Sequence, residues 1–153
     1  MLLASDIMTT EVLSAAPHTS IDEVAKLLVD KRINGVPVVD ADGNLAGVIT
    51  QTDLINQARD LELPPALNIL DLHLYLQIPS RMMQRIEKLL GRTVGEVMSK
   101  NPIYVAPDTP ARDIAALMER KQAHTIPVVE AGKLVGVIGR VDLIRALAYK
   151  GRG

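Results

Sequence analysis

Residues 34–55 have the sequence NGVPVVDADGNLAGVITQTDLI, and residues 124–144 repeat it as HTIPVVEAGKLVGVIGRVDLI with one residue fewer in the turn. Upstream of this segment the similarity continues without a gap, because residues 6–40 match residues 96–130 at an offset of 90. The chain therefore contains two diverged copies of one unit. An internal repeat of this kind restricts the fold more than any single segment does.

Each copy has the pattern of a strand, a helix, two strands joined by a short turn, and a final helix. In the first copy, Ser20 and Glu23 form a capping box before apolar residues with helical spacing. In the second copy, Thr109 is the expected N-cap and Pro110 the expected first helical residue. A unit of about 50 residues is too small to bury a sufficient core alone. We therefore expect an α/β (α+β) fold in which two pseudo-twofold-related β-α-β-β-α motifs pack through their sheets.

The repeat also sets the expected domain boundaries. Residues 1–59 form the first motif, residues 93–153 form the second, and residues 60–92 form a helical insertion between them. Within the insertion we expect helices over residues 66–76 and 81–90. Their apolar residues indicate packing on the module or across a dimer contact, and a lid or partner-docking hairpin is the alternative.

The composition argues against several classes of function. The 17 basic and 18 acidic residues give a net charge of −1, so the cationic excess expected of a nucleic-acid-binding protein is missing. The chain has no cysteine, which excludes disulfides and thiolate metal sites. Its three histidines are scattered, and it contains no P-loop and no Gly-x-Gly-x-x-Gly. We therefore expect no catalytic residues, no metal site and no catalytic cofactor.

The same sequence indicates where the protein resides. No apolar run approaches the ~20 residues that cross a bilayer, so we expect no membrane insertion. The first residues lack the basic flank and long apolar run of a signal peptide. We therefore expect a cytoplasmic protein.

The ordered set of motifs in both copies resembles the cystathionine-β-synthase (CBS) motif. It comprises residues 6–9, 34–40 and 47–53 in the first copy, and residues 96–99, 124–129 and 136–142 in the second. Two such motifs form a Bateman module. The resemblance implies a non-catalytic module that binds a regulatory ligand (AMP, ADP, ATP or S-adenosylmethionine) between the motifs. It also implies a homodimer, and control of a partner protein that the sequence does not identify.

Thr50 and Asp53 are the binding candidates in the first copy, at the start of the helix that follows the hairpin. Free amides at a helix start, together with the Thr50 hydroxyl, make an anion site, and a carboxylate one turn later can accept both hydroxyls of a ribose. The resemblance assigns Thr50 to phosphate and Asp53 to ribose. Thr-x-x-Asp is equally a capping box that needs no ligand, so both interpretations stay open.

In the second copy Gly139 replaces the threonine, whereas Asp142 is kept. The family has Ser or Thr at this position, so phosphate binding there depends on a substitute donor. Arg140 is adjacent and cationic, and His124 stands where some nucleotide-binding family members place a phosphate-contacting histidine. The alternatives are a solvated arginine and an edge histidine without a ligand.

By resemblance, each site takes its aspartate from one motif and part of its adenine wall from the other. The Asp142 site would use Leu13 and residues 33–35, and the Asp53 site would use Ile103 and residues 123–125. The expected binding residues are Leu13, Asn34, Gly35, Val36, Pro37, Thr50, Asp53, Ile103, His124, Thr125, Ile126, Pro127, Arg140 and Asp142. The expected homodimer face is Leu54, Ile55, Leu143, Ile144 and Leu147. The competing hypothesis is a structural dimerisation or docking module with degenerate, empty clefts.

Overall fold

The computed structural model of the chain describes residues 1–59 and 80–149, apart from the side chain of Met82. In chain order its elements are α1 (Ala4–Ile7), α2 (Ile21–Lys31), β1 (Gly35–Val39), β2 (Leu45–Thr50), α3 (Gln51–Arg59), α4 (Ser80–Leu90), α5 (Val94–Val97), α6 (Ala111–Lys121), β3 (Thr125–Glu130), β4 (Lys133–Gly139) and α7 (Arg140–Tyr149). The second helix expected in the insertion is present as α4. The helix expected over residues 66–76 lies outside the described residues.

Each motif contributes one antiparallel hairpin to the fold. β1 pairs with β2 and β3 pairs with β4, and the two registers correspond, since Val36 lies opposite Ile49 as Ile126 lies opposite Ile138. In the second hairpin the turn residues Ala131 and Gly132 both have a positive φ, 51° and 81°, as in the type I′ turn that suits twisted strands. The predicted mixed fold of two related motifs is confirmed.

The first strand predicted in each motif is reduced to one residue of parallel pairing. Ala15 N–H donates to the Pro37 carbonyl at 3.0 Å, and Val39 N–H donates to the Ala15 carbonyl at 2.9 Å. Val105 pairs in the same way in the second motif. Two residues after Ala15 comes Pro17, and a proline stands at the same place in the second motif. Proline has no N–H with which to continue a ladder, so the strand cannot extend.

Each motif has its own aliphatic core, and each core is completed by a short helix from the other half of the chain. Val94 of α5 is fully buried in the core of the first motif, and Ala4 of α1 is fully buried in the core of the second. The two attachments are equivalent: Val94 N–H donates to the Thr19 carbonyl at 2.7 Å, and Ala4 N–H donates to the Thr109 carbonyl at 2.8 Å. The packing boundary between the motifs therefore differs from the boundary in sequence.

The helix starts agree with the prediction in one motif and differ by one residue in the other. Ser20 Oγ accepts from Glu23 N–H at 3.2 Å at the start of α2, as predicted. In the second motif Pro110, rather than Thr109, occupies the N-cap, and α6 begins at Ala111. The reason is that Pro110 pairs in an extended conformation with the segment that precedes α1.

The two motifs meet along β1 and β3 and along the chain segments that follow α1 and α5. One such segment approaches Gly47 so closely that a Cβ there would lie 2.6 Å from the Ser99 carbonyl oxygen. Val48 exchanges two backbone hydrogen bonds with Ser99, at 3.0 and 3.2 Å. Glycine is required at position 47 because backbone atoms occupy the space of a side chain. The insertion helix α4 lies beside α2 and α3, and its Leu90 packs against the first core.

Candidate functional site

A groove of about 400 Å³ lies between the two motifs at the first turn of α3. It takes residues from both halves of the chain, as the sequence predicted for the Asp53 site. The predicted binding residues that line it are Asn34, Thr50, Asp53, Ile103, His124 and Thr125. The groove also contains residues that the sequence analysis did not select, namely Ser99, Asn101, Pro102 and Lys121.

The Asp53 carboxylate caps the start of α3 through one of its two oxygens. Its Oδ2 accepts from Thr50 N–H at 2.8 Å and from Thr50 Oγ1 at 3.1 Å, and Thr50 Oγ1 accepts from Asp53 N–H at 3.3 Å. The capping box predicted as the ligand-free alternative is therefore present. Among the described residues, however, none donates a hydrogen bond to Asp53 Oδ1, so this oxygen is available to a ligand.

His124 carries a buried donor without a partner on the opposite wall of the groove. Its Nε2 lies 3.1 Å from a guanidinium nitrogen of Arg140, and a guanidinium has donors only. Nε2 must therefore accept, and the ring hydrogen resides on Nδ1. Nδ1 is buried, and none of the described residues accepts its hydrogen bond. A buried N–H without an acceptor is costly, but Nδ1 has almost no accessible surface, so a ligand in the groove would reach it only if the ring turned.

Lys121 adds a cation to the same wall, at the last residue of α6. Within residues 1–59 and 80–149 it forms no ion pair with a carboxylate. The sequence did not single it out, because a lysine in the last turn of a helix already has an explanation in the helix dipole. The sequence did contain one indication that Lys121 lines the groove, because Lys121 lies just before residues 123–125, which were expected in the wall.

Asp142, the counterpart of Asp53, is engaged through both of its oxygens. Its Oδ2 accepts from Gly139 N–H at 2.7 Å, which matches the cap in the first motif. Its Oδ1 accepts from Thr9 Oγ1 at 3.2 Å and from an Arg145 guanidinium nitrogen at 3.3 Å. The Asp142 side chain is 11% exposed and that of Arg145 is 61% exposed.

A second cavity, of about 490 Å³, adjoins Asp142 but has a different composition from the predicted site. It lies between the segment that contains α1 and helix α7, and its lining is Leu2, Asp6, Ile7, Met8, Asp142, Arg145, Ala146 and Tyr149. The residues expected beside Asp142, Leu13 and residues 33–35, are not part of this lining, and Asn34 lines the Asp53 groove instead. Leu13 itself is 43% exposed.

The remaining predicted residues lie in the strands. Val36 and Ile126 are fully buried in the two cores, and Pro37 and Pro127 are buried beside them. At Gly35 a Cβ would lie 2.9 Å from the Ile49 carbonyl oxygen, so this glycine serves the pairing of β1 with β2. These five residues shape the hairpins beneath the groove, and none of them is among the residues that line it.

The sequence model of the CBS domain matches residues 4–60 and 94–149, which are the two repeats. This chain belongs to the CBS domain family. Its 34%-identical relative CBSX2, a chloroplastic CBS domain-containing protein of Arabidopsis thaliana, aligns with 85% of the chain, and the match spans 56% of that relative's length. The CBS chain is also 32% identical to protein MJ1426 of Methanocaldococcus jannaschii, over 96% of the chain and 92% of that protein.

Solved structures of CBS pairs have the same architecture. CBSX2 in complex with AMP is 30% identical and superposes with a TM-score of 0.76, covering 99% of this CBS chain and 100% of that one. The CBS domain pair of MJ0100 in complex with 5′-methylthioadenosine and S-adenosyl-L-methionine is 25% identical, with a TM-score of 0.71 and 98% coverage of both chains. Both structures hold adenosine derivatives.

Two further properties of the described residues bear on function. None of the helices in the part of the chain that the structure describes has the length and apolar character to cross a membrane. Nor do those residues include a group of three or more His, Asp or Glu side chains placed to bind a metal ion.

Proposed function

We propose that this chain is a non-catalytic regulatory module that binds an adenosine nucleotide between its CBS motifs and signals to a partner protein. The observation that carries the proposal is the Asp53 groove. One motif supplies Thr50 and Asp53, and the other supplies Ile103 and His124. The relatives solved with AMP and with S-adenosylmethionine support this class of ligand.

Each part of a nucleotide has a complementary group in the groove. The phosphate meets the start of α3, where the helix dipole favours an anion, and the Thr50 hydroxyl donates to it on turning away from Asp53 Oδ2. The ribose hydroxyls donate to Asp53 Oδ1. The adenine lies against Ile103, and the Lys121 ammonium faces the phosphate oxygens from the other wall. AMP, ADP and ATP satisfy all of these groups, and S-adenosylmethionine satisfies those that do not need a phosphate.

Binding between two motifs is suited to signalling. A ligand that contacts both walls favours the spacing of the motifs in which both sets of contacts are made. Such differential affinity shifts the population of that state, and a partner that contacts only one state converts the shift into an output.

Thermal unfolding with AMP, ADP, ATP or S-adenosylmethionine tests the proposal. At a ligand concentration of about 100 times Kd, we expect the melting temperature to rise by roughly 5–10 °C. The double variant Asp53→Ala/Asp142→Ala should lose this rise. Asp108→Ala/Asp113→Ala, which removes two exposed carboxylates outside the groove lining, should keep it. If none of the four compounds raises the melting temperature of the wild type, the proposal is wrong.

The apolar face of α3 and α7 supports a homodimer as part of the proposal. Ile55, Ile144 and Leu147 are 55%, 63% and 77% exposed, and exposed apolar side chains of this size support a contact surface. Two residues expected on that face lie elsewhere: Leu54 is 2% exposed in the first core, and Leu143 packs against the second. They face inwards because they follow the helical spacing of the buried side.

The dimer is tested by light scattering after size-exclusion chromatography. Leu147→Glu should convert the dimer to a monomer, because a charge at a covered apolar surface is costly. Val29→Glu, at an exposed apolar position of α2, is the matched control and should remain dimeric. A monomeric wild type would contradict the dimer without affecting the nucleotide proposal.

The same apolar face favours the second candidate function, a dimerisation or docking module with empty clefts. The two functions differ in their response to ligand. A docking module would dimerise through α3 and α7 while its melting temperature stayed unchanged in all four compounds.

A further inference from the structure

The two aspartates at the helix starts differ in one hydrogen-bonding oxygen. In both motifs Oδ2 accepts from the backbone N–H three residues earlier, at 2.8 Å for Asp53 and 2.7 Å for Asp142. At Asp53 no described residue donates to Oδ1. At Asp142 two side chains donate to it, Thr9 at 3.2 Å and Arg145 at 3.3 Å. The two aspartates therefore cap their helices in the same way through Oδ2, but they differ at Oδ1, which accepts hydrogen bonds from described residues only at Asp142.

The copies differ in the two residues that correspond to these donors. In the repeat, Ser99 corresponds to Thr9. Asn56 of α3 corresponds to Arg145 of α7. Neither Ser99 nor Asn56 donates a hydrogen bond to Asp53 in the described chain.

A ribose hydroxyl would donate a hydrogen bond to Asp142 Oδ1, as Thr9 and Arg145 already do. It would have to displace the Thr9 hydroxyl, the Arg145 guanidinium, or both. Hydrogen bonds to a charged group are worth roughly a factor of ten to a hundred in an equilibrium constant. Because Arg145 is largely exposed, the ion pair alone contributes little. The displacement cost comes from Thr9 and Arg145 together.

The second motif also lacks the phosphate donor of the first. Gly139 stands where Thr50 offers its hydroxyl, and the guanidinium of the next residue, Arg140, is engaged with His124, which lines the Asp53 groove. A nucleotide beside Asp142 would therefore meet a weaker phosphate site and an occupied ribose acceptor.

We infer that the chain binds one nucleotide, in the Asp53 groove, and that Asp142 instead joins the segment after α1 to α7 through Thr9 and Arg145. This inference rests on the proposed function and specifies its stoichiometry and its site. Asp53 is then the ribose acceptor, and Asp142 has a structural role.

Isothermal titration calorimetry of the full chain with AMP tests the inference. We expect one molecule of AMP per chain. Asp53→Asn keeps an oxygen that can cap α3 but removes the charge, and it should weaken binding by about tenfold or more. The matched variant Asp142→Asn should bind AMP as the wild type does. Two equal sites per chain, or loss of AMP binding in Asp142→Asn with binding retained in Asp53→Asn, would overturn the inference and leave the proposed function intact. Absence of binding to AMP, ADP, ATP and S-adenosylmethionine in the wild type would overturn both.

Exchanging the two distinguishing residues provides the complementary test. The variant Asn56→Arg/Ser99→Thr places the donors of the second motif beside Asp53 and should weaken AMP binding by about tenfold. The converse variant Thr9→Ala/Arg145→Asn removes both side-chain donors from Asp142 Oδ1 and should add a second, weaker binding event. Unchanged affinity in the first variant, with its melting temperature preserved, would contradict the inference.

Discussion

Replacing Gly139 with threonine should stabilise the second motif, because it restores the capping hydroxyl that Thr50 supplies in the first. In the first motif Thr50 Oγ1 accepts from Asp53 N–H at 3.3 Å. A Cβ at Gly139 would lie 3.7 Å from Asp142 Oδ2 and 3.9 Å from the His124 carbonyl oxygen, which are ordinary contact distances. The φ angle of Gly139 is not among the positive values of the described glycines. Neither space nor backbone conformation therefore requires glycine.

Two effects add to the expected gain. Replacing a glycine at a position with compatible backbone angles reduces the entropy of the unfolded chain and contributes about 0.4–1 kcal/mol to stability. A capping hydroxyl contributes about 1 kcal/mol more. For a chain of this size each kcal/mol raises the melting temperature by roughly 2–4 °C. We therefore expect an increase of roughly 3–8 °C for Gly139→Thr.

The two effects are separated by comparing Gly139→Thr with Gly139→Val in urea and thermal unfolding. Valine has the shape of threonine without the hydroxyl, so Gly139→Val should show the entropic gain alone. Gly139→Thr should exceed it by the value of the cap. If the threonine variant is no more stable than the valine variant, the hydroxyl does not cap α7. If both variants are less stable than the wild type, the assignment of free space at Gly139 is wrong.

Three further substitutions test other parts of the structure. Gly47→Ala should reduce the free energy of unfolding in urea by about 1–3 kcal/mol, because its Cβ would lie 2.6 Å from the Ser99 carbonyl oxygen; a neutral result would contradict this close approach. Ala131→Asn should raise stability by about 1 kcal/mol in the same assay, since asparagine tolerates the φ of 51° better than alanine does, and a loss of stability would argue against the turn. Hydrogen bonds from the backbone N–H and hydroxyl of Thr93 lower the pKa of Glu96 below 4.5. These hydrogen bonds to Glu96 therefore stabilise the fold above the pKa of Glu96 in the unfolded chain. Their contribution is lost as the pH falls through the lower pKa of Glu96 in the folded chain. In a series of unfolding curves, the Glu96→Gln variant should lose less stability than the wild type between pH 5 and pH 2. Identical pH profiles would exclude a contribution from the Glu96 carboxylate.

The sequence predicted the hairpins from patterns within each copy of the repeat, and the resemblance predicted the groove beside Asp53. The aliphatic runs on either side of each turn have the length and composition of strands, and the observed hairpins extend them by a residue or less at most ends. Thr50 and Asp53 lie one helical turn apart, so their mutual capping was also predictable. The resemblance to the CBS family then placed Ile103 and His124 opposite Asp53.

Other features could not be predicted because they depend on contacts between distant parts of the chain. The helices α1 and α5 have four residues each, which is too short for a helical period to be recognised. The hydrogen bond from Thr9 to Asp142 joins residues 133 positions apart. The contact with Arg145, by contrast, joins residues three apart in α7, a spacing at which helical side chains meet. The residues expected beside Asp142 therefore did not include Thr9 and Arg145, which contact it in the structure.

The crossing of α1 and α5 between the cores has a consequence for how such a repeat could arise. The short helix that precedes each copy packs in the core of the other copy, not in its own. A single copy would therefore complete its core only by exchanging this helix with a second copy. The two-copy chain is the covalently linked form of such an exchanged pair. Cutting the chain between the motifs should therefore yield two fragments that are unstable apart and that reassemble when mixed. Deleting the first eight residues, which include α1, should destabilise the core of the second motif, which lies more than one hundred positions away in the sequence.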